Sequence, residues 1–229
     1  MPDVRSLLYV PVLHAEADMG HLGHALAQRA AQLVGEKRWA SHREFIYRFW
    51  QAVSDYFLAL DLKGLRIYQD GLAVDGEVGQ RVVEEGARRG SPNYQLLREL
   101  LRHGAVLQKT EDPGLLLQEQ QNIKLQMEGG PVSVTRETPS RPGPEISLLE
   151  ARDRFIAGAI NHTLREGHVG ALFLGAHHEV IPLLDPDILV DQVKPQAQVK
   201  SYFHALLHEA DDARWLALGE SLCAPVVGR

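Results

Sequence analysis

Two histidines and a glutamate stand directly after an apolar run in the segment GALFLGAHHEV, residues 170–180. Imidazole nitrogens and carboxylate oxygens are the groups that bind divalent metals and move protons in enzymes. Similar endings recur after three other apolar stretches, where the chain places His14, Glu16 and Asp18, then Asp70, then Glu111 and Asp112. The sequence therefore predicts one site that four separate segments build together.

The apolar stretches before these residues are predicted to be strands, because they are short, continuous and bounded by turn residues. The predicted strands cover residues 7–13, 64–71, 105–109 and 169–174, and a further strand falls within 181–190. The spacing of apolar residues predicts helices between these strands and after the last one. The predicted helices cover residues 15–33, 42–60, 77–90, 145–166, 198–210 and 213–218, and two more begin at Ser91-Pro92 and at Pro113. Ser41 is the predicted N-cap of the helix at 42–60. This alternation predicts a single α/β domain over residues 1–229, with a mainly parallel sheet flanked by helices and with helical insertions.

Strands of a parallel sheet all end at one edge, and ligands bind at that edge. We therefore expect His14 and His178 to bind a divalent metal or to polarise water, with Glu111 or Asp70 as a further ligand or general base. Mixed imidazole and carboxylate ligands suit Zn, Mn, Co or Fe, and such an ion activates bound water. Two alternatives remain open: Asp70 makes a turn with Gly71, and Glu111 belongs to a helix cap.

The sequence gives weaker evidence for a functional role of the other residues near the strand ends. Glu16, His177 and Gly175 are candidate substrate-binding residues, and Gly175 allows the backbone to turn after the strand. The alternative for His177 is a structural role, with its ring pointing inward behind the apolar run. Two further histidine pairs, His21 with His24 and His204 with His208, have helical spacing and are interpreted as exposed helix faces.

The composition of the chain argues against several classes of protein. The chain of 229 residues is 45% hydrophobic, carries a formal net charge of -6 and has a single cysteine, Cys223. This argues against nucleic-acid binding and against a disulfide or a cysteine-based zinc site. No apolar segment has the length of a membrane span, so we expect a cytoplasmic protein. Residues 128–144 are dense in Gly, Pro, Ser and Thr and are predicted to form a flexible loop or lid, and the apolar C-terminal helices suggest a homodimer.

Several of these segments resemble the TIKI/TraB superfamily, which includes the erythromycin esterases and ChaN-like proteins. GAHH at 175–178 is similar to the second of two G-x-x-H motifs of that superfamily, and PVLH at 11–14 is similar to the first, with proline in place of glycine. LEARDRFIAGAI at 149–160 is similar to the helix that precedes the last motif, and GAVLQKTEDPGLLLQEQ at 104–120 is similar to a segment in which a strand leads to a glutamate.

The resemblance implies a hydrolase with a metal-assisted site, acting on an ester or peptide bond of a small-molecule or peptide substrate. In this comparison Glu111 is the acid, and Arg152 is an anion or oxyanion partner. The alternative for Arg152 is a surface ion pair with Glu150 or Asp153. The alternative for the whole protein is a non-catalytic ligand- or metal-binding protein of the same fold.

Overall fold

The structure is a computed structural model that describes residues 4–60, 63–128, 146–208 and 211–226. At its centre is a five-stranded sheet in which every strand pair is parallel. The strands are β1 Arg5–Val12, β2 Arg66–Gln69, β3 Val106–Gln108, β4 Val169–Gly175 and β5 Ile188–Gln192, in the order β3-β2-β4-β1-β5. The predicted α/β fold with a parallel sheet flanked by helices is therefore confirmed.

Helices cover both faces of this sheet. Within the described residues they are α1 Gly23–Val34, α2 Glu36–Leu58, α3 Gly76–Arg88, α4 Pro92–Arg102, α5 Pro113–Glu128, α6 Leu148–Thr163, α7 Gln196–His208 and α8 Asp212–Cys223. Side chains alternate along β1, so Val10 and Val12 pack with residues of α2, α4, α7 and α8, whereas Leu7 and Tyr9 pack with residues of α6. Burial on both faces explains why the strands are continuous apolar runs in the sequence.

Two predicted helix starts are wrong. α2 begins at Glu36 and not after Ser41, because Gly35 takes a φ of +88° and breaks the chain between α1 and α2. Residues 15–33 are not one helix: a 3-10 segment, Glu16–Leu22, comes before α1, and Gly20 interrupts it with a φ of +56°. Glycine adopts positive φ with no steric cost, so both breaks fall at glycines.

Other boundaries follow the prediction more closely. The hydroxyl of Ser91 accepts a hydrogen bond from the Tyr94 N–H, and Pro92 occupies the first turn of α4, as expected for an N-cap. The loop predicted at 128–144 begins at Glu128, which is the last residue of α5, and its remainder lies outside the described residues.

A buried histidine joins α2 to α7. His42 is 4% exposed, and its Nδ1 lies 2.7 Å from the hydroxyl of Tyr202. Burial lowers the pKa of His42 to about 4, because the surrounding rings do not solvate an imidazolium. The folded protein therefore holds His42 neutral, whereas the unfolded chain protonates it near pH 6.5.

Acid is expected to destabilise the protein through His42. Between pH 6.5 and pH 4 the unfolded state binds a proton that the folded state does not, so the free energy of unfolding falls as the pH falls. Over this range the wild type should lose about 3 kcal/mol more than a His42→Gln variant. Denaturant unfolding at several pH values measures the difference, and His208→Gln, at an exposed position, serves as the control. Parallel pH curves for wild type and His42→Gln would contradict the assignment.

Candidate functional site

Four neighbouring strands end at the same edge of the sheet, and each is followed by a predicted site residue. In the order of the sheet, β3, β2, β4 and β1 lead to Glu111, Asp70, His178 and His14. The N-terminal half of α6 adds Arg152 and Asp153 above this edge.

Three of these side chains share the space around Gly175. A Cβ atom added to Gly175 would lie 3.2 Å from Oδ2 of Asp70, 3.5 Å from Cδ2 of His178 and 3.9 Å from Nε2 of His14. The N–H of Gly175 also donates to Oδ2 of Asp70 at 3.0 Å. The absence of a side chain at this position lets two imidazoles and a carboxylate meet in one small volume.

His178 is held by a carboxylate that the sequence did not identify as part of the site. Its Nδ1 lies 2.5 Å from Oδ1 of Asp153, and both side chains are 6% exposed. The other oxygen of Asp153 accepts from the N–H of Glu179 at 2.9 Å. A carboxylate only accepts hydrogen bonds, so Nδ1 of His178 carries a proton. In the neutral ring Nε2 is then the nitrogen that accepts a proton.

His14 lies between two carboxylates. Its Nε2 is 3.7 Å from Oδ2 of Asp70, and its Nδ1 is 3.8 Å from Oδ2 of Asp18. The side chain of His14 is 38% exposed, whereas that of Asp18 is 4% exposed. A protonated His14 is therefore paired with two negative charges and reaches solvent.

The carboxylate of Asp18 is fixed by donors from two segments. Oδ2 accepts the N–H of Ala15 at 2.7 Å, and Oδ1 accepts the hydroxyl of Ser91. Burial raises the pKa of Asp18, although the charge of His14 and these two donors oppose the rise. The cap of α4 thus also positions one side of the site.

Arg152 connects three carboxylates. It donates to Oδ1 of Asp70 at 2.9 Å, to Oε1 of Glu119 at 2.5 Å and to both oxygens of Glu111 at 2.5 and 3.3 Å. It is 3% exposed, and burial alone would lower its pKa, but hydrogen bonding to Glu111 and the charges of the three carboxylates together raise the pKa above its ordinary value. Glu119 lies on α5, so this one guanidinium ties α5 and α6 to the ends of β2 and β3.

The pKa values of the two buried carboxyl groups beside Arg152 are shifted in opposite directions. Burial raises the pKa of Glu111, and Arg152 only partly opposes the rise. Burial also favours a higher pKa for Asp70, but His14, His178, Arg152 and the Gly175 N–H together hold that pKa below its ordinary value. Asp70 is therefore ionised at neutral pH.

The expected role of Arg152 as an anion partner does not follow from this geometry, because its nitrogens already bond to carboxylates. Neither of the alternative ion pairs forms: Glu150 pairs with Arg154, and Asp153 bonds to His178. The expected role of Glu111 as a general base does not follow either. Glu111 is fully buried and both of its oxygens accept from Arg152, which leaves no free oxygen for a general base.

The candidate substrate-binding residues divide into one central and two peripheral positions. Gly175 lies at the centre of the site. The side chain of His177 is exposed, so the alternative in which its ring points inward is wrong. Glu16 is exposed as well and lies 3.3 Å from Nδ1 of His24. His204 and His208 are both exposed on α7, as expected.

Tyr9 is a buried residue beside the site that the sequence analysis missed. It is 1% exposed and packs with residues adjacent to the site, among them Ile156, Leu174 and Val180. Its hydroxyl has no hydrogen-bond partner in the described parts of the chain. Burial raises its pKa, and the charges of nearby carboxylates add to the rise, so the phenol stays neutral. As part of an apolar strand, it carried no sequence signal.

His14 and His178 are the predicted metal ligands. Across the described ranges, no three His, Cys, Asp or Glu side chains form a group that could hold a metal ion. Nδ1 of His178 is bonded to Asp153, which leaves Nε2 as the nitrogen of this ring that could face a metal, since a metal-ligating histidine commonly donates its other ring nitrogen to a carboxylate. Both oxygens of Asp70 already accept hydrogen bonds.

Two cavities lie away from this edge. One, of about 540 Å³, lies between α2 and the end of α8, and a neighbouring one, of about 290 Å³, lies beside Lys194. Neither is lined by a residue of the site. The chemistry-bearing residues, and not cavity size, therefore locate the candidate site.

Gly175→Ala is expected to disturb the site without unfolding the protein. The new Cβ at 3.2 Å from Asp70 forces that carboxylate to move by a few tenths of an ångström, while the free energy of unfolding should change by less than about 1.5 kcal/mol. The ring resonances of His14 and His178 should shift in NMR spectra. Gly158→Ala in α6 is the control, because its Cβ meets open space. Unchanged resonances in Gly175→Ala would show that the three groups do not share this volume.

The fold and the site together define an α/β protein with a histidine–carboxylate cluster at the carboxyl edge of its parallel sheet. No family model, curated protein or solved structure matches the chain. Among the described helices, none is long and apolar enough to cross a membrane.

Proposed function

We propose that this protein is a hydrolase that cleaves an ester or peptide bond by general acid–base catalysis with two histidines. The observation that carries the proposal is the buried pair of His178 and Asp153 next to His14. A histidine whose Nδ1 is held by a carboxylate presents Nε2 as a base, which is the arrangement that activates a nucleophile.

The reaction requires one proton to be taken up and one to be given. A water molecule near Gly175 loses a proton to Nε2 of His178 as its oxygen attacks the substrate carbonyl. The resulting imidazolium is stabilised by Asp153. As the bond to the leaving group breaks, protonated His14 donates a proton to the leaving oxygen or nitrogen. Transfer of the proton from His178 to His14 through solvent then restores both rings.

In these proton-transfer steps the surrounding carboxylates act on the histidines. Asp70 and Asp18 pair with protonated His14 from two sides. Arg152 is a positioning residue, because its bonds to Asp70 and Glu111 fix the carboxylate that faces His14.

Metal assistance remains a proposal from the sequence, and no step above passes through an ion. The resemblance to the TIKI/TraB superfamily supports a hydrolase with histidines at the ends of the first and last long strands. Superfamily membership is likewise a proposal.

The test is a panel of ester, peptide and phosphoester substrates with purified protein. Three conditions are compared: no addition, a chelator, and added Mn, Co or Zn. We expect ester or peptide hydrolysis that survives the chelator and disappears in His178→Gln but not in His177→Gln. Hydrolysis only with added metal would replace the acid–base mechanism by a metal-assisted one. No hydrolysis under any condition would favour the non-catalytic ligand-binding alternative.

A further inference from the structure

Negative charge dominates the candidate site. Five carboxylates belong to it, on Asp18, Asp70, Glu111, Glu119 and Asp153. Arg152 is the one permanent cation that they contact among the described residues. Even if both His14 and His178 are protonated, the carboxylates outnumber the positive charges by two.

The hydrogen bonds indicate that the buried carboxylates are ionised. Asp18, Asp70, Glu111 and Asp153 each accept hydrogen bonds or an imidazole contact on both oxygens. Hydrogen bonds donated to both oxygens favour the ionised form of a carboxyl group. The excess of negative charge is therefore present in the folded protein.

Within the described ranges of the chain, the cationic side chains nearby do not cancel this excess, because they pair elsewhere. Lys200 pairs with Glu179, and Arg154 pairs with Glu150 at 2.8 Å. Lys109 lies 5.7 Å from the centre of the Phe155 ring. Each has its own partner outside the cluster of five carboxylates.

The hydroxyl of Tyr9, which has no hydrogen-bond partner among the described residues, is a second, independent sign of an unfilled polar position here. Buried hydroxyls almost always have a hydrogen-bond partner. The hydroxyl of Tyr9 is close enough to Asp70, Glu179 and Asp153 for their charges to raise its pKa. A positively charged group that binds among these carboxylates would complete the environment, whereas an anion would be repelled.

From these observations we infer that the substrate carries a positive charge, as an alkylammonium group close to the bond that is cleaved. This inference names the class of substrate for the proposed hydrolase, and it rests on that proposed function for the identity of the bond that is cleaved. The group enters where the site reaches solvent, at His14 and Glu119, whose side chains are each 38% exposed. Anionic esters and phosphoesters are disfavoured.

Three small probes of equal shape test the charge preference. Choline is a cation, 3,3-dimethylbutan-1-ol is its neutral counterpart, and 3,3-dimethylbutanoate is an anion. Binding to the full chain is followed by the NMR ring resonances of His14 in low salt. We expect choline to bind about tenfold more tightly than the neutral alcohol, the anion not to bind, and the preference to shrink in high salt.

A matched pair of variants locates the effect. Glu119→Gln removes one charge of the cluster and should lower the choline preference about threefold. Glu150→Gln removes an exposed carboxylate that pairs with Arg154 elsewhere on α6, and should leave the preference unchanged. Equal binding of choline and the neutral alcohol, tighter binding of the anion, or no choline binding up to about 50 mM would each overturn the inference.

The acetate esters of choline and of 3,3-dimethylbutan-1-ol separate this inference from the proposed function. Selective choline binding without hydrolysis of any ester would retain the cationic ligand and remove the hydrolase. Hydrolysis of choline acetate and its neutral analogue at equal kcat/KM, with equal binding, would retain the hydrolase and remove the charge preference.

Discussion

Replacing Arg152 with methionine is expected to lower the free energy of unfolding by about 3–5 kcal/mol. The guanidinium is 3% exposed and bonds to Asp70, Glu111 and Glu119. Without it, Glu111, which is fully buried, loses its charged partner, and Asp70 loses one of two donors. An uncompensated buried charge costs far more than an exposed ion pair contributes. Chemical denaturation monitored by circular dichroism measures the change.

The matched control is Arg154→Met on the same helix. Arg154 pairs with Glu150 through side chains that are 56% and 49% exposed, so its loss should cost less than about 1 kcal/mol. A third variant separates the effect of charge from that of geometry. Arg152→Lys keeps the positive charge but cannot bridge three carboxylates, so its loss of unfolding free energy should lie between those of Arg152→Met and Arg154→Met. If Arg152→Met is as stable as Arg154→Met, the connection between the strand ends does not depend on the guanidinium.

Much of the framework could be predicted from the sequence because local patterns determine it. β1 and β4 are buried on both faces, so their apolar runs stand out from the amphipathic helices around them. Because parallel strands share one carboxyl edge, the positions of Asp70 and His178 followed from the strand assignment alone. Glycines that end helices are less predictable, as Gly35 shows, since a strong helix pattern continues on both sides of it.

The partners within the site could not be predicted in the same way. Arg152 and Asp153 are adjacent on α6, and only the tertiary packing decides that one faces Asp70 and the other faces His178. Strand alternation also ceases to apply after Gly175. The turn closed by the His178 N–H on the carbonyl of Gly175, at 3.2 Å, exposes His177 and buries His178.

Asp153→Asn is expected to reduce kcat for hydrolysis by about 10²–10⁴-fold. The N–H of Glu179 requires an acceptor, so the amide oxygen of the new residue should face it and the NH₂ group should face Nδ1 of His178. A donor in that place forces the proton of the neutral ring onto Nε2, where it blocks the uptake of a proton from water. The side chain keeps its size, so the loss of activity should exceed any loss of stability.

The measurements combine kinetics with ring ¹⁵N NMR, which reports the tautomer of His178 directly. His178→Gln should lose a similar amount of activity, and the double variant should lose no more than either single one, since both disable the same base. His177→Gln is the matched control: its ring is exposed one residue away, and kcat should not change. If Asp153→Asn shifts the proton to Nε2 and retains full activity, His178 is not the base, and His14 becomes the residue to test in that role.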